Sequence, residues 1–170
     1  MESKHPTSEA PELLITRVFD APKQLVFNAF AEAEALSQWW GPPGVPITVV
    51  QLDFRPKGSF LYKATMQGQT AHGKFVYGQI SKYDLLEFTS SFSDEAGRTI
   101  RAPFSQQFPL EIFNRLEFSE LNGKTTITMK GYPVNASEAE TQFYTAMKNG
   151  MQQGFAGTFA QLDHYLSKLL

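Results

Sequence analysis

The apolar and polar positions of this chain divide it into a strand, two short helices, a run of strands and one long amphipathic helix. Glu12 to Asp20 is rich in apolar and β-branched residues and predicts a strand. Ala21-Pro22 ends it, and the proline suits the first turn of a helix whose apolar face carries Leu25, Val26, Ala29 and Phe30. A second helix, Ala33 to Gln38, stops before Gly41-Pro42-Pro43-Gly44, which cannot continue it. Strand-like runs follow at Ile47 to Phe54, Ser59 to Met66, Ala71 to Ser81 and Leu85 to Phe92, with turn residues such as Pro56-Lys57-Gly58, Gly68-Gln69 and Tyr83-Asp84 between them. That spacing predicts an antiparallel meander. Ser93 to Gln107 is polar and reads as a long loop. Phe108 to Ser119 and Lys124 to Tyr132 read as a hairpin turning at Asn122-Gly123.

The last element is the longest. Ser137 and Glu140 have the spacing of a capping box. A single helix from Glu138 to Leu169 would put Phe143, Met147, Met151, Phe155, Phe159, Leu162 and Leu166 on one face. Gly150, Gly154 and Gly157 lie along one edge of that face, each at a cost of about 1 kcal/mol relative to alanine. The edge is therefore expected to approach the sheet or a cavity, or to meet a second copy in a homodimer, rather than to face bulk water. Residues 1–11, with two prolines and little to bury, read as a flexible tail, and residues 12–170 as one domain.

ITRVFDAPKQLVFNAF, LSQWWGPPGV, the RPKGSF turn and GFAGTFAQLDHYL, in that order, resemble the SRPBCC superfamily. Within it they are most similar to the branch named for activators of the heat-shock protein 90 ATPase. The resemblance covers Leu13 to Leu169 and implies an α+β helix-grip fold. In that fold a bent antiparallel sheet of about seven strands surrounds a long C-terminal helix, with two short helices after the first strand. Such folds often hold an apolar cavity between sheet and helix. Phe155 stands where many relatives carry tryptophan. Chaperone activation in the eukaryotic namesake depends substantially on a separate N-terminal domain, and here only a short segment precedes the first strand.

Composition narrows the chemistry. Net charge is −2, which disfavours a nucleic-acid partner. With no cysteine, the chain has no disulfide, thiolate ligand or thiol nucleophile. No apolar run approaches the roughly 20 residues of a membrane span. A cytoplasmic location is expected. His5, His72 and His164 are scattered, and no His/Asp/Glu grouping has metal-ligand spacing, so neither metal nor cofactor is expected. His72 is either a surface histidine or a group at a cavity mouth. The serines lack an activating motif, and no catalytic residue is assigned.

Aromatic residues are plentiful, at 14% of the chain, and serve either an aromatic core or a ligand cavity. The candidate cavity residues are Trp39, Trp40, Phe60, Tyr62, Phe75, Tyr77, Phe88, Phe113, Met129, Met147, Met151 and Phe155. Those on strands depend on the choice of inward face, which a slip of one residue would exchange. The leading expectation is noncatalytic binding of an apolar or aromatic small molecule in a cavity of a few hundred Å3. The alternatives are a cyclase, dehydratase or hydrolase of small aromatic or polyketide-like substrates, and a co-chaperone or interaction protein.

Overall fold

A computed structural model describes residues 12–170; the segment 1–11, expected to be a tail, lies outside the described residues. Strand β1 (Leu13–Phe19) is followed by helices α1 (Lys23–Asn28) and α2 (Ala33–Trp39). Then come β2 (Ile47–Leu52), β3 (Ser59–Met66), β4 (Gln69–Ser81), β5 (Leu85–Ser93), a two-residue β6 (Thr99–Ile100), β7 (Ile112–Leu121) and β8 (Lys124–Pro133). Two helical segments, α3 (Glu138–Ala146) and α4 (Lys148–Ser167), close the chain. Every strand pairing is antiparallel, in the order β1-β8-β7-β5-β4-β3-β2, with β6 added beside β5. This is the helix-grip arrangement the sequence implied.

Alternation decides what each strand turns inward. In β7, Ile112, Asn114, Leu116 and Phe118 are buried, whereas Arg115 and Glu117 pair with each other on the other face. In β8 the buried set is Thr125, Ile127, Met129 and Gly131. A register shift between Tyr77 and Ile80 interrupts the β4–β5 ladder, and such an irregularity bends a strand. Phe19, Phe27, Leu36, Trp39, Phe60, Leu116, Ile127, Phe159 and Leu162 are all essentially inaccessible and form the main core.

Three sequence-based expectations need correction. The hairpin strand begins at Ile112, not Phe108, and the long loop contributes β6. The last helix is not continuous: Met147 sits at φ −90°, ψ 0° between α3 and α4. The two halves are fastened to different partners. Tyr144 of α3 donates its hydroxyl to Gly131 O of β8 at 3.0 Å, while α4 meets β1 through the Arg17–Asp163 pair at 2.7 Å. The capping box at Ser137 and Glu140 is present as expected.

The glycine edge is the third correction. Gly150 and Gly154 look into open space: a Cβ on either would meet nothing within 4 Å. Gly157 alone makes a close approach, because its Cβ would stand 2.8 Å from Pro43 Cγ. Gly154→Ala should therefore stabilise the fold by about 1 kcal/mol, the helix-propensity gain of an exposed site. Gly157→Ala should lower the melting temperature, since overpacking typically costs about 1–3 kcal/mol. Thermal unfolding of the two variants checks this, and equal shifts would contradict the packing assignment.

Candidate functional site

The two adjacent tryptophans after α2 point in different directions, and this starts the site. Trp39 is completely buried, and its indole N–H donates to Ala29 O at 2.9 Å. The backbone that follows would leave carbonyls open, and α4 supplies their donors. Gln161 Nε2 donates to Trp39 O at 3.1 Å and Gly41 O at 2.8 Å, and Thr158 Oγ1 donates to Gly41 O at 3.0 Å. Pinned this way, the turn leaves Trp40 half-buried beneath the sheet, edge-on to Phe75 with ring centroids 5.2 Å apart.

Trp40 forms one wall of a cavity of about 200 Å3 that also borders a small cluster of Leu13, Ile112 and Tyr144, which shares Ile15 and Phe155 with the main core. Tyr62, Phe75, Phe88, Met151 and Phe155 line it together with Phe92, Phe108, Ser90, Ser91 and Asn114. Phe75 and Phe88 stack at 3.9 Å with their planes 13° apart. None of the described lining residues is Asp, Glu, Lys, Arg or His.

Tyr62 reaches the cavity because its cross-strand partner on β4 is Gly73. A Cβ at Gly73 would stand 2.2 Å from Tyr62 Cζ, so any side chain there would displace the ring. On the far side of Tyr62, Gly73 and Phe92 lies a second hollow of about 470 Å3, walled by Pro42, Val45, the β3–β4 hairpin and Pro103. His72 lines this outer hollow and not the inner cavity. The loop beyond β6 is held over the site by Arg101, whose guanidinium meets Glu140 at 2.5 Å and Phe108 O at 3.3 Å.

Of the residues proposed from sequence, Trp40, Tyr62, Phe75, Phe88, Met151 and Phe155 line the cavity. Trp39, Phe60, Tyr77 and Met129 belong to the packed core; Phe60 stacks against Tyr62 at 5.0 Å and Tyr77 meets Phe54 at 5.0 Å. Phe113 lies on the outer face against Tyr132, 5.4 Å away, because β7 turns Ile112 and Asn114 inward. Met147 occupies the junction between α3 and α4 and is not a lining residue. Sequence reasoning missed Asn114, Ser90, Phe92, Phe108 and Ile112. The charged Arg115 and Glu117 carried the usable signal: they mark the outer face of β7, and so assign Phe113 outside and Asn114 inside. No comparable signal marks Phe108, which arrives from a loop.

The tyrosines of the interior are held neutral. Burial pushes the Tyr62 phenol up, opposed by hydrogen bonding from the Trp40 indole. Burial also raises Tyr77, and burial followed by the Glu12 carboxylate raises Tyr144. Among the described residues no group of His, Cys, Asp and Glu could hold a metal ion, and no helix is long and apolar enough to cross a membrane.

The antiparallel sheet and the C-terminal helix it grips define a helix-grip domain of the START-like kind. The chain belongs to the family described as Activator of Hsp90 ATPase homolog 1-like protein, whose model matches residues 20–167. No curated protein matches the chain. It is similar in structure to protein Ms6760 from Mycobacterium smegmatis, at 24% identity and a TM-score of 0.77, covering 98% of this chain and 97% of that one. A protein from Arthrobacter aurescens is 28% identical with a TM-score of 0.78, over 98% of this chain and 91% of that one. A protein from Staphylococcus epidermidis is 26% identical with a TM-score of 0.77, over 98% and 96%.

A phenol whose pKa is raised in the folded state favours folding fully below the unfolded value, here 10.0, and loses that contribution as pH rises beyond it. Tyr62, Tyr77 and Tyr144 should therefore ionise only as the protein unfolds in alkali. Phenolate absorbance followed alongside near-ultraviolet circular dichroism tests this. Ionisation of all tyrosines while the native spectrum persists would contradict it.

Proposed function

We propose that this domain binds a small aromatic molecule in the cavity between the sheet and α4, without carrying out chemistry on it. The observation that carries the reading is the cavity itself: about 200 Å3, walled by Trp40, Tyr62, Phe75, Phe88 and Met151, with no formal charge on its lining. An engineered apolar cavity of roughly 150 Å3 already takes up benzene. The space here suits one ring with a small substituent. Aromatic walls supply large contact area with edge-to-face geometry, and the unbranched Met151 adapts to the shape of what enters.

Binding fits the site better than catalysis does. General acid–base work needs a group that gains or loses a proton near the working pH. Among the described residues, the ionisable side chains on the wall are Tyr62 and Tyr144, both held protonated. The Ser90 hydroxyl engages Asn114 and a main-chain carbonyl, and no base is paired with it. We place the domain in the cytoplasm, since a chain without cysteine needs no oxidising compartment.

Calorimetric titration with ethylbenzene tests the proposal. Saturable binding with a negative heat-capacity change is expected. Met151→Trp should fill the space and weaken binding by more than about tenfold, a loss of about 1.4 kcal/mol. The variant's circular dichroism and cooperative melting should persist. No binding to the native protein, or unchanged binding to a folded Met151→Trp variant, would overturn the reading.

A further inference from the structure

One end of the cavity is not apolar, and its hydrogen-bonding capacity is one-sided. Asn114, Ser90 and Tyr144 meet there, with Asn114 only 4% and Tyr144 only 1% exposed. Asn114 Nδ2 is surrounded by acceptors: Ser90 Oγ at 3.1 Å, Ile112 O at 3.1 Å and Phe88 O at 3.4 Å. That environment fixes which end of the amide is nitrogen. Both amide hydrogens are committed to it. The Tyr144 hydroxyl hydrogen is committed to Gly131 O at 3.0 Å, and the Ser90 hydroxyl points to Ile112 O at 3.5 Å.

The acceptors are in the opposite condition. Asn114 Oδ1 accepts no hydrogen bond from any described residue. It is nevertheless not sealed in protein, because no fully buried side-chain oxygen or nitrogen among the described residues lacks a partner. The open space beside it is the cavity. Tyr144 Oη, having donated, keeps lone pairs of its own. The two oxygens flank Gly131, the cross-strand partner of Asn114. A Cβ at Gly131 would stand 3.1 Å from Asn114 Oδ1 and 3.3 Å from Tyr144 Oη, so a side chain there would crowd both oxygens.

We propose that Asn114 Oδ1, assisted by Tyr144 Oη, is a specificity determinant that selects ligands carrying a neutral O–H donor on the ring, that is, phenols. The inference rests on the small-molecule reading above and deepens it. A pole that offers acceptors and withholds donors satisfies a phenol, repels a carboxylate or phenolate, and gives nothing to a hydrocarbon. A site built around a buried polar group discriminates strongly against an analogue that leaves it unpaired. In a wholly apolar cavity the order would be the reverse, since desolvating a hydroxyl without a partner is unfavourable.

The test compares 4-ethylphenol, 4-ethyltoluene and 4-ethylbenzoate by calorimetric titration of the full chain. The expected result is 4-ethylphenol binding about tenfold tighter than its methyl isostere, with 4-ethylbenzoate weakest. Asn114→Leu should abolish the preference and leave 4-ethyltoluene bound at least as well as before. Gly131→Ala, which crowds both oxygens and keeps Asn114, should also reduce the preference, and serves if Asn114→Leu fails to fold. Equal or inverted affinities in the native protein would overturn this inference and leave the cavity reading standing. A preference that survives both folded variants would do the same. Binding of none of the three would remove both.

Discussion

The site depends on a hydrogen-bond problem at the end of a seven-residue helix. Helix α2 finishes in a turn of two tryptophans, a glycine and two prolines, and the last carbonyls of such a helix need donors from elsewhere. Trp39 O, and Gly41 O two residues beyond the helix, receive them from α4 through Gln161 and Thr158. Trp39 is locked into the core by its own bond to Ala29 O. With one tryptophan fixed inward and the following carbonyls fixed to α4, Trp40 is left on the wall of the cavity. The contact of Gly157 with Pro43 belongs to the same attachment, and it is what allows helix and turn to come so close.

The interior is divided between filled and unfilled space by small residues at particular strand positions. Gly73 lets the Tyr62 ring fold across β4. Gly131 carries no side chain to crowd Asn114 and Tyr144. Neither position has space for a side chain: a Cβ at Gly73 would clash with Tyr62 Cζ at 2.2 Å, and one at Gly131 would crowd Asn114 Oδ1 and Tyr144 Oη at 3.1 and 3.3 Å, the close packing usual in protein interiors. The polar pair therefore sits in a low-dielectric setting where an unmet acceptor is unfavourable, and a bound donor group would relieve it.

The two halves of the last helix are held by different sets of contacts. α3 is fastened to β8 through Tyr144 and to the loop beyond β6 through Glu140 and Arg101. α4 is fastened to β1 and to the turn after α2. The single non-helical residue between them, Met147, lets each half follow its own anchors. The cavity is the space left where those two sets of contacts do not meet.

By itself the sequence determined the order of elements and the capping box at Ser137, its family resemblance implied the helix-grip class, and its candidates included five of the eight aromatic residues on the cavity wall. The element order and the cap follow from local rules: period-two alternation, turn residues and the spacing of apolar positions on a helix. The same rules, applied to Arg115 and Glu117, also carried the inward face of β7, although Phe113 is the more conspicuous residue there. Tertiary structure alone decided the rest. Nothing local says that Gly154 faces solvent while Gly157 meets Pro43, because one helical turn separates them and the difference is what lies opposite. Nothing local brings Phe108 from a loop onto the cavity, or sets Asn114, Ser90 and Tyr144 around one space. Those groups come from two strands and a helix far apart in the chain, and their donors and acceptors acquire meaning only after the sheet has bent around the helix and assigned each one a partner.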